Sequence, residues 1–288
     1  MELPGLLYTY NLHTRATAFE SGDRNSGNSL VFIAGLTDGY NAVPYLPMLN
    51  AALEHTGWSL IQVTLSSSYL GYGINSLQQD CEELNVLVRY LVEKREKQKV
   101  VFLGHSTGCQ DCIWFSRHAP YRQHVSCYIL QAPVSDREFM IESLDGYDKY
   151  LRLATKMKKA GKGMELMPRE VDTAPITADR FYALGAVGGD DDFFSSDLSP
   201  ANLATLYSGI STPIAIIHSG ADEYIPTGID KDELLRRLQA ACPAIVATAI
   251  VPEADHALSS EEAQRTFVEL VCRFLENVVG VSKQGVTA

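Results

Sequence analysis

Long apolar runs are missing from this chain. Nowhere do about 20 apolar residues stand together, the length a membrane-spanning helix needs, so no membrane association is expected. Cations are scarce as well: 24 Lys and Arg face 35 Asp and Glu, a formal net charge of -11. Phosphate backbones are bound by clustered Lys and Arg, so nucleic acid is not an expected partner. The balance fits a soluble protein that acts on a neutral or cationic small molecule. The residues Met1-Glu2-Leu3-Pro4-Gly5 have neither the basic start nor the apolar block of a secretory signal, and no Asn-x-Ser/Thr acceptor occurs. A cytoplasmic location is the expectation.

Cysteine is used sparingly, at positions 81, 109, 112, 127, 242 and 272. Most of these lie in apolar stretches, as buried free thiols do. Cys109 and Cys112 have the Cys-x-x-Cys spacing of a redox pair or half a zinc site, but no second Cys or His pair stands at ligand spacing. No metal and no organic cofactor are expected.

What is present supports one substantial core: 288 residues, 46% of them hydrophobic, with length alone allowing one or two domains. Short β-rich apolar runs alternate with longer amphipathic ones, the pattern of a mainly parallel central sheet flanked by helices. Strands are expected at Leu30–Ile33, Leu60–Leu65, Val100–Leu103, Cys127–Leu130, Ile214–His218 and Ile245–Val251, with two weaker ones at Leu6–Tyr10 and Thr17–Phe19. Leu77, Cys81, Leu84, Val88 and Leu91 mark a helix opened by a Ser76/Gln79 capping box, and Ser259/Glu262 suggests the same opening for the last helix. The alternation stops after Val134 and resumes at Pro213. Residues 135–206, with helical stretches such as Tyr147–Lys159, read as a cap inserted into a core of residues 1–134 and 207–288. In that segment Lys156, Lys158, Lys159 and Lys162 read as a solvated helix face, and Asp190–Asp192 as a solvated loop.

The strongest local signal is Gly104-His105-Ser106-Thr107-Gly108, directly after the strand Val100–Leu103 and directly before a helix ending near His118. Strand, G-x-S-x-G, helix is the context of a nucleophile elbow. The serine must occupy a strained turn, and side chains on the flanking glycines would strike neighbouring backbone. The turn also leaves the Thr107 N–H at the positive end of the new helix. A serine hydroxyl needs a base, and in this architecture the acid and then the histidine follow in chain order. Asp222 stands in the loop after Ile214–His218, and His256 in the loop after Ile245–Val251. Both loops open on the face where α/β sheets build their sites.

Other assignments compete. Asp255 adjoins His256, although neighbours in an irregular loop rarely face each other well enough. Glu223 adjoins Asp222 and is a possible substitute. His105 should point away from the serine, His218 reads as structural, and His13, His55, His118 and His124 have no comparable setting. A second oxyanion donor is expected after Leu30–Ile33, where Ala34-Gly35-Leu36-Thr37-Asp38-Gly39 makes the Leu36 N–H the candidate; an ordinary glycine-rich turn is the alternative. Tyr69 and Tyr72, around Gly71–Gly73, are candidate aromatic walls of a substrate pocket or plain surface tyrosines. The expected fold is thus the α/β-hydrolase fold with a helical cap insertion. The expected chemistry is acyl transfer through Ser106, with His256 as base and Asp222 orienting it.

These stretches together resemble the DUF1749 family of α/β hydrolases, which includes fungal siderophore esterases. The likeness is carried by Val31 through Gly39, Leu65-Ser66-Ser67-Ser68-Tyr69, Leu103 through Asp111, Gly220 through Pro226, and Asp255-His256. It spans nearly the whole chain and is weakest in 135–206, where substrate choice would be made. The resemblance implies hydrolysis of ester bonds in hydroxamate siderophores of the fusarinine type, inside the cell, so that iron is released. A secondary-metabolite tailoring hydrolase or cyclase remains an alternative. So does a receptor-like binder, which would have no need of the full Ser106, Asp222 and His256 set.

Overall fold

Runs such as Leu30-Val31-Phe32-Ile33 are apolar at every position because both faces of their strands are covered. The computed structural model describes residues 2–280. Within it the chain runs β1 (Gly5–Asn11), β2 (Ala16–Gly22), β3 (Asn28–Ile33), α1 (Leu46–His55), β4 (Ser59–Val63), α2 (Leu77–Glu93), β5 (Lys99–His105), α3 (Gly108–His118) and β6 (Val125–Gln131). It continues through α4 (Asp136–Ser143), α5 (Tyr147–Lys159), α6 (Ala178–Gly185), α7 (Pro200–Leu206), β7 (Ile214–Ser219), α8 (Lys231–Ala241), β8 (Ile245–Val251) and α9 (Glu261–Val279). The strands form one sheet in the order β1-β2-β4-β3-β5-β6-β7-β8. The pairs β1/β2 and β2/β4 are antiparallel, and the remaining pairs are parallel.

Alternate residues of each strand feed two cores. Leu30 and Phe32 pack with Leu49 of α1 and Phe267 of α9, whereas Val31 and Ile33 pack with Leu84 of α2 and Ile113 of α3. From β3 the chain turns outward to β4 and then crosses back to β5 on the other side. That reversal opens a crevice at the carboxyl ends of β3 and β5, where open α/β sheets place their ligands.

Helix starts follow their local chemistry. Ser76 caps α2 by accepting from the Gln79 N–H at 3.3 Å. The last helix begins one residue later than its sequence suggests: Ser260, not Ser259, caps it, accepting from Ala263 N–H at 3.2 Å. Asp255 Oδ1 takes the Ser259 N–H at 2.7 Å and keeps that residue in the preceding turn. Strand β4 likewise ends at Val63, short of Leu65.

Between β6 and β7 lie α4 to α7. Tyr150, Ala154, Met167, Ile176, Phe181 and Leu184 form a small separate core there, with Leu36 packed against it. Phe193, Phe194, Leu203 and Tyr207 instead join the core of the main sheet. The acidic run is not a solvated loop. Asp191 and Asp192 are buried, paired with Arg180 at 2.6 Å and Arg137 at 3.2 Å, while Asp190 stays exposed. A buried carboxylate requires such a partner, and these cations stand 11 and 55 residues away, beyond any local pattern.

Candidate active site

Strand β5 ends at His105 and α3 begins at Gly108, so only Ser106 and Thr107 make the turn. Ser106 sits at φ 54°, a left-handed conformation that costs a non-glycine residue about 1–3 kcal/mol and persists only where its surroundings hold it. Two contacts hold it. A Cβ on Gly104 would lie 2.3 Å from the Gly108 carbonyl oxygen, and one on Gly108 would lie 2.3 Å from Ile33 O, so only glycines let β5, α3 and β3 close. The Ser106 N–H donates to Gln131 O on β6 at 3.1 Å. The turn after β3 comes just as near: a Cβ on Gly35 would meet Ser106 Cβ at 2.7 Å. Leu36, Ser106 and the Thr107 end of α3 are thereby brought together.

The other two candidates meet through backbone pairing of their loops. Gly220 N–H donates to Val251 O, and Ala221 N–H to Ala254 O, each at 2.8 Å. This holds the loop after β7 against the loop after β8. His256 Nδ1 then lies 2.8 and 3.0 Å from the two Asp222 oxygens. Both residues are buried. Bonding of Nδ1 to a carboxylate assigns its proton and leaves Nε2 as the basic nitrogen. The two rivals have other tasks: Asp255 holds Ser259, and Glu223 Oε2 accepts from the His256 backbone N–H at 2.9 Å. Among the described residues no hydrogen bond joins Ser106 Oγ to His256, but both line one cavity of about 350 Å³ together with Leu36. In unliganded sites such contacts are often long and tighten with substrate.

Behind and around the cavity stand residues that sequence reasoning missed. Gln131, at the end of β6, donates through Nε2 to His256 O at 3.0 Å and accepts through Oε1 from Tyr45 Oη and His105 Nδ1. His105 therefore turns its Nδ1 to Gln131 while its ring rests 4.9 Å from that of His256. Burial lowers its pKa to about 3, so it stays neutral. His218 is buried too, and burial lowers its pKa to about 4. Asp38 is a half-buried carboxyl on the cavity wall; burial raises its pKa, and nearby His256 pulls it back.

Of the expected pair only Tyr72 reaches the aromatic wall, which Tyr224 and Phe139 complete. Tyr224 stands over His256, ring centroids 4.6 Å apart, and Phe139 of α4 stands 4.9 Å from Tyr224. Tyr72 does line the cavity, its hydroxyl tied to Asp172 at 2.6 Å. Tyr69 is not on the cavity wall: it is 53% exposed, its ring lies over Gly39, and its N–H is bound to Asp38 O. Tyr224 was legible from its place two residues after Asp222. Phe139 had no sequence signal.

An eight-stranded, mostly parallel sheet with helices on both faces and this turn after its fifth strand is the α/β-hydrolase fold. Among solved structures, a siderophore hydrolase, EstB from Aspergillus fumigatus, superposes with a TM-score of 0.82 at 30% identity, covering 96% of this chain and 98% of that one. A soluble variant of monoglyceride lipase from Saccharomyces cerevisiae shares the fold at a TM-score of 0.63 and 12% identity, covering 96% and 95%. The chain belongs to the family described as Protein of unknown function (DUF1749), whose model matches residues 1–278. A further relative, fusarinine C esterase sidJ of Aspergillus fumigatus, is 31% identical over 323 residues, 90% of this chain and 91% of that protein. Among the described residues no helix is long and apolar enough to cross a membrane.

Proposed function

We propose that this protein is a cytoplasmic serine hydrolase that cleaves carboxylic ester bonds, with hydroxamate siderophores of the fusarinine type as its substrates. The observation that carries the reading is the Asp222–His256 pair at 2.8 Å, opening on the same cavity as Ser106 in its strained turn. Similarity to relatives named siderophore hydrolase and fusarinine C esterase supports the substrate class. His256 Nε2 takes the Ser106 proton as Oγ attacks the ester carbonyl, and Asp222 stabilises the imidazolium. The Leu36 and Thr107 N–H groups receive the developing oxyanion. His256 then protonates the departing alcohol, and a water activated by the same nitrogen releases the acid from Ser106. Every group this sequence uses is a side chain or a backbone amide. Residues 135–206 act as the cap, with Phe139 reaching the cavity wall.

Mass spectrometry of products tests the reading. A fusarinine-type siderophore should be opened with the gain of one water for each ester bond cleaved. Ser106→Ala should lower that rate by about 10⁴-fold or more while the protein stays folded. An active Ser106→Ala variant refutes the nucleophile, and a wild-type protein that leaves siderophore esters intact refutes the substrate.

A further inference from the structure

A second cavity, of about 20 Å³, lies against the turn after β3. Its walls include Gly35 and the two proposed oxyanion donors, Leu36 and Thr107, and also Asp80 of α2, Asp111 of α3 and Arg180 of α6. Arg180 is its cationic wall residue and is only 5% exposed. It comes from the segment between β6 and β7, not from the sheet. Its start is anchored locally: Thr177 N–H donates to Gly73 O at 2.8 Å, and Thr177 Oγ1 accepts from Arg180 N–H. The side chain then reaches inward, where Nε donates to Tyr72 O at 3.1 Å and Nη1 to Asp191 Oδ2 at 2.6 Å. Arg180 thus shares this cavity with the turn, and its counter-ion Asp191 is not among the lining residues. The Oδ1 atoms of Asp80 and Asp111 have no hydrogen-bond partner among the described residues. Burial raises the Asp80 pKa to about 7 and that of Asp111 well above the usual range. Arg180, which cannot lose its own proton, is the fixed charge among them.

We infer that Arg180 is a positioning residue of the proposed oxyanion site, its guanidinium, held by Asp191, lining the cavity behind the Gly35–Leu36 turn and setting the cationic member of that pair beside the amides that receive the oxyanion. The inference rests on the serine mechanism proposed above. A cation fixed in a site that excludes water favours developing negative charge more than it would in solvent, and needs no reorganisation to do so. The packing of Leu36 against the inserted helices works in the same direction. The segment that holds the substrate is thus also part of the machinery that acts on any ester, however short.

The test uses p-nitrophenyl acetate, too small to reach far into the cap. Arg180→Met alone leaves Asp191 buried without its cation, which destabilises. It is therefore read beside Arg180→Met/Asp191→Asn, which removes the pair as a unit. In that double variant the melting temperature should return to the wild-type value while kcat stays down about tenfold with KM little changed, less than the loss from deleting an oxyanion donor outright. Arg180→Lys, which keeps the charge, should retain most of the rate. A double variant with wild-type kcat, a loss confined to KM, or a folded Arg180→Lys as slow as the double variant each overturns the inference. Labelling by a fluorophosphonate separates the two levels. Reaction at a serine other than Ser106 refutes the mechanism and this inference with it, whereas Ser106 labelling beside an undiminished double variant refutes the inference alone.

Discussion

Replacing Asp222 by Asn changes one atom at the most constrained point of the site. Both carboxylate oxygens lie within 3.0 Å of His256 Nδ1, Oδ1 also accepts from the Tyr224 N–H at 3.0 Å, and the side chain is buried. Asn has the same shape, so the fold should hold. Its chemistry does not match. If the amide nitrogen faces Nδ1, the imidazole must take the opposite tautomer, with its proton on Nε2, where it cannot accept one from Ser106. If the amide oxygen faces Nδ1, the imidazolium formed in the reaction loses its counter-charge. Exchange at the equivalent position of other serine hydrolases costs about 10⁴ in kcat, or about 5.5 kcal/mol of transition-state stabilisation. Asp255→Asn should behave differently, because Asp255 only accepts from Ser259 N–H at the protein surface. Its effect should be less than about 1 kcal/mol on stability and leave kcat within about twofold. Steady-state hydrolysis of a p-nitrophenyl ester, with thermal melts to confirm folding, measures both. An Asp222→Asn enzyme within tenfold of wild type, or a larger loss for Asp255→Asn, refutes the assignment.

Two further outcomes follow from the buried polar groups. Gln131→Leu removes the donor to His256 O and the acceptor shared by His105 and Tyr45; with those groups unpartnered, stability should fall by about 2–4 kcal/mol, and a melt unchanged from wild type would show that the network contributes nothing. Asp80, whose folded pKa is about 7 against an ordinary 3.8, binds more protons folded than unfolded between those values. Its burden on stability therefore begins as pH rises past about 4 and is complete above about 7. Asp80→Asn should raise the melting temperature at pH 8 and lose that advantage by pH 4; a gain greatest at pH 4 would contradict the raised pKa.

Whatever depends on near neighbours is legible in residue order. Two-residue and three-to-four-residue apolar periods placed the strands and α2, because a strand or helix buries the face its own spacing creates. The glycines of Gly104-His105-Ser106-Thr107-Gly108 announced the turn, since steric exclusion acts over a few atoms, and chain order then located Asp222 and His256 at strand ends that a parallel sheet must bring to one edge. Which polar groups partner one another across the chain is set by folding. Arg180 and Arg137 turn a seemingly solvated acidic run into buried ion pairs. Gln131 links the serine turn to the histidine loop 125 residues away, and Phe139 and Tyr224 wall the cavity while Tyr69 stays on the surface. Pairings of this kind leave no period in the sequence, because a desolvated carboxylate or carbonyl needs a partner near it in space, and chain folding, not sequence distance, supplies that partner.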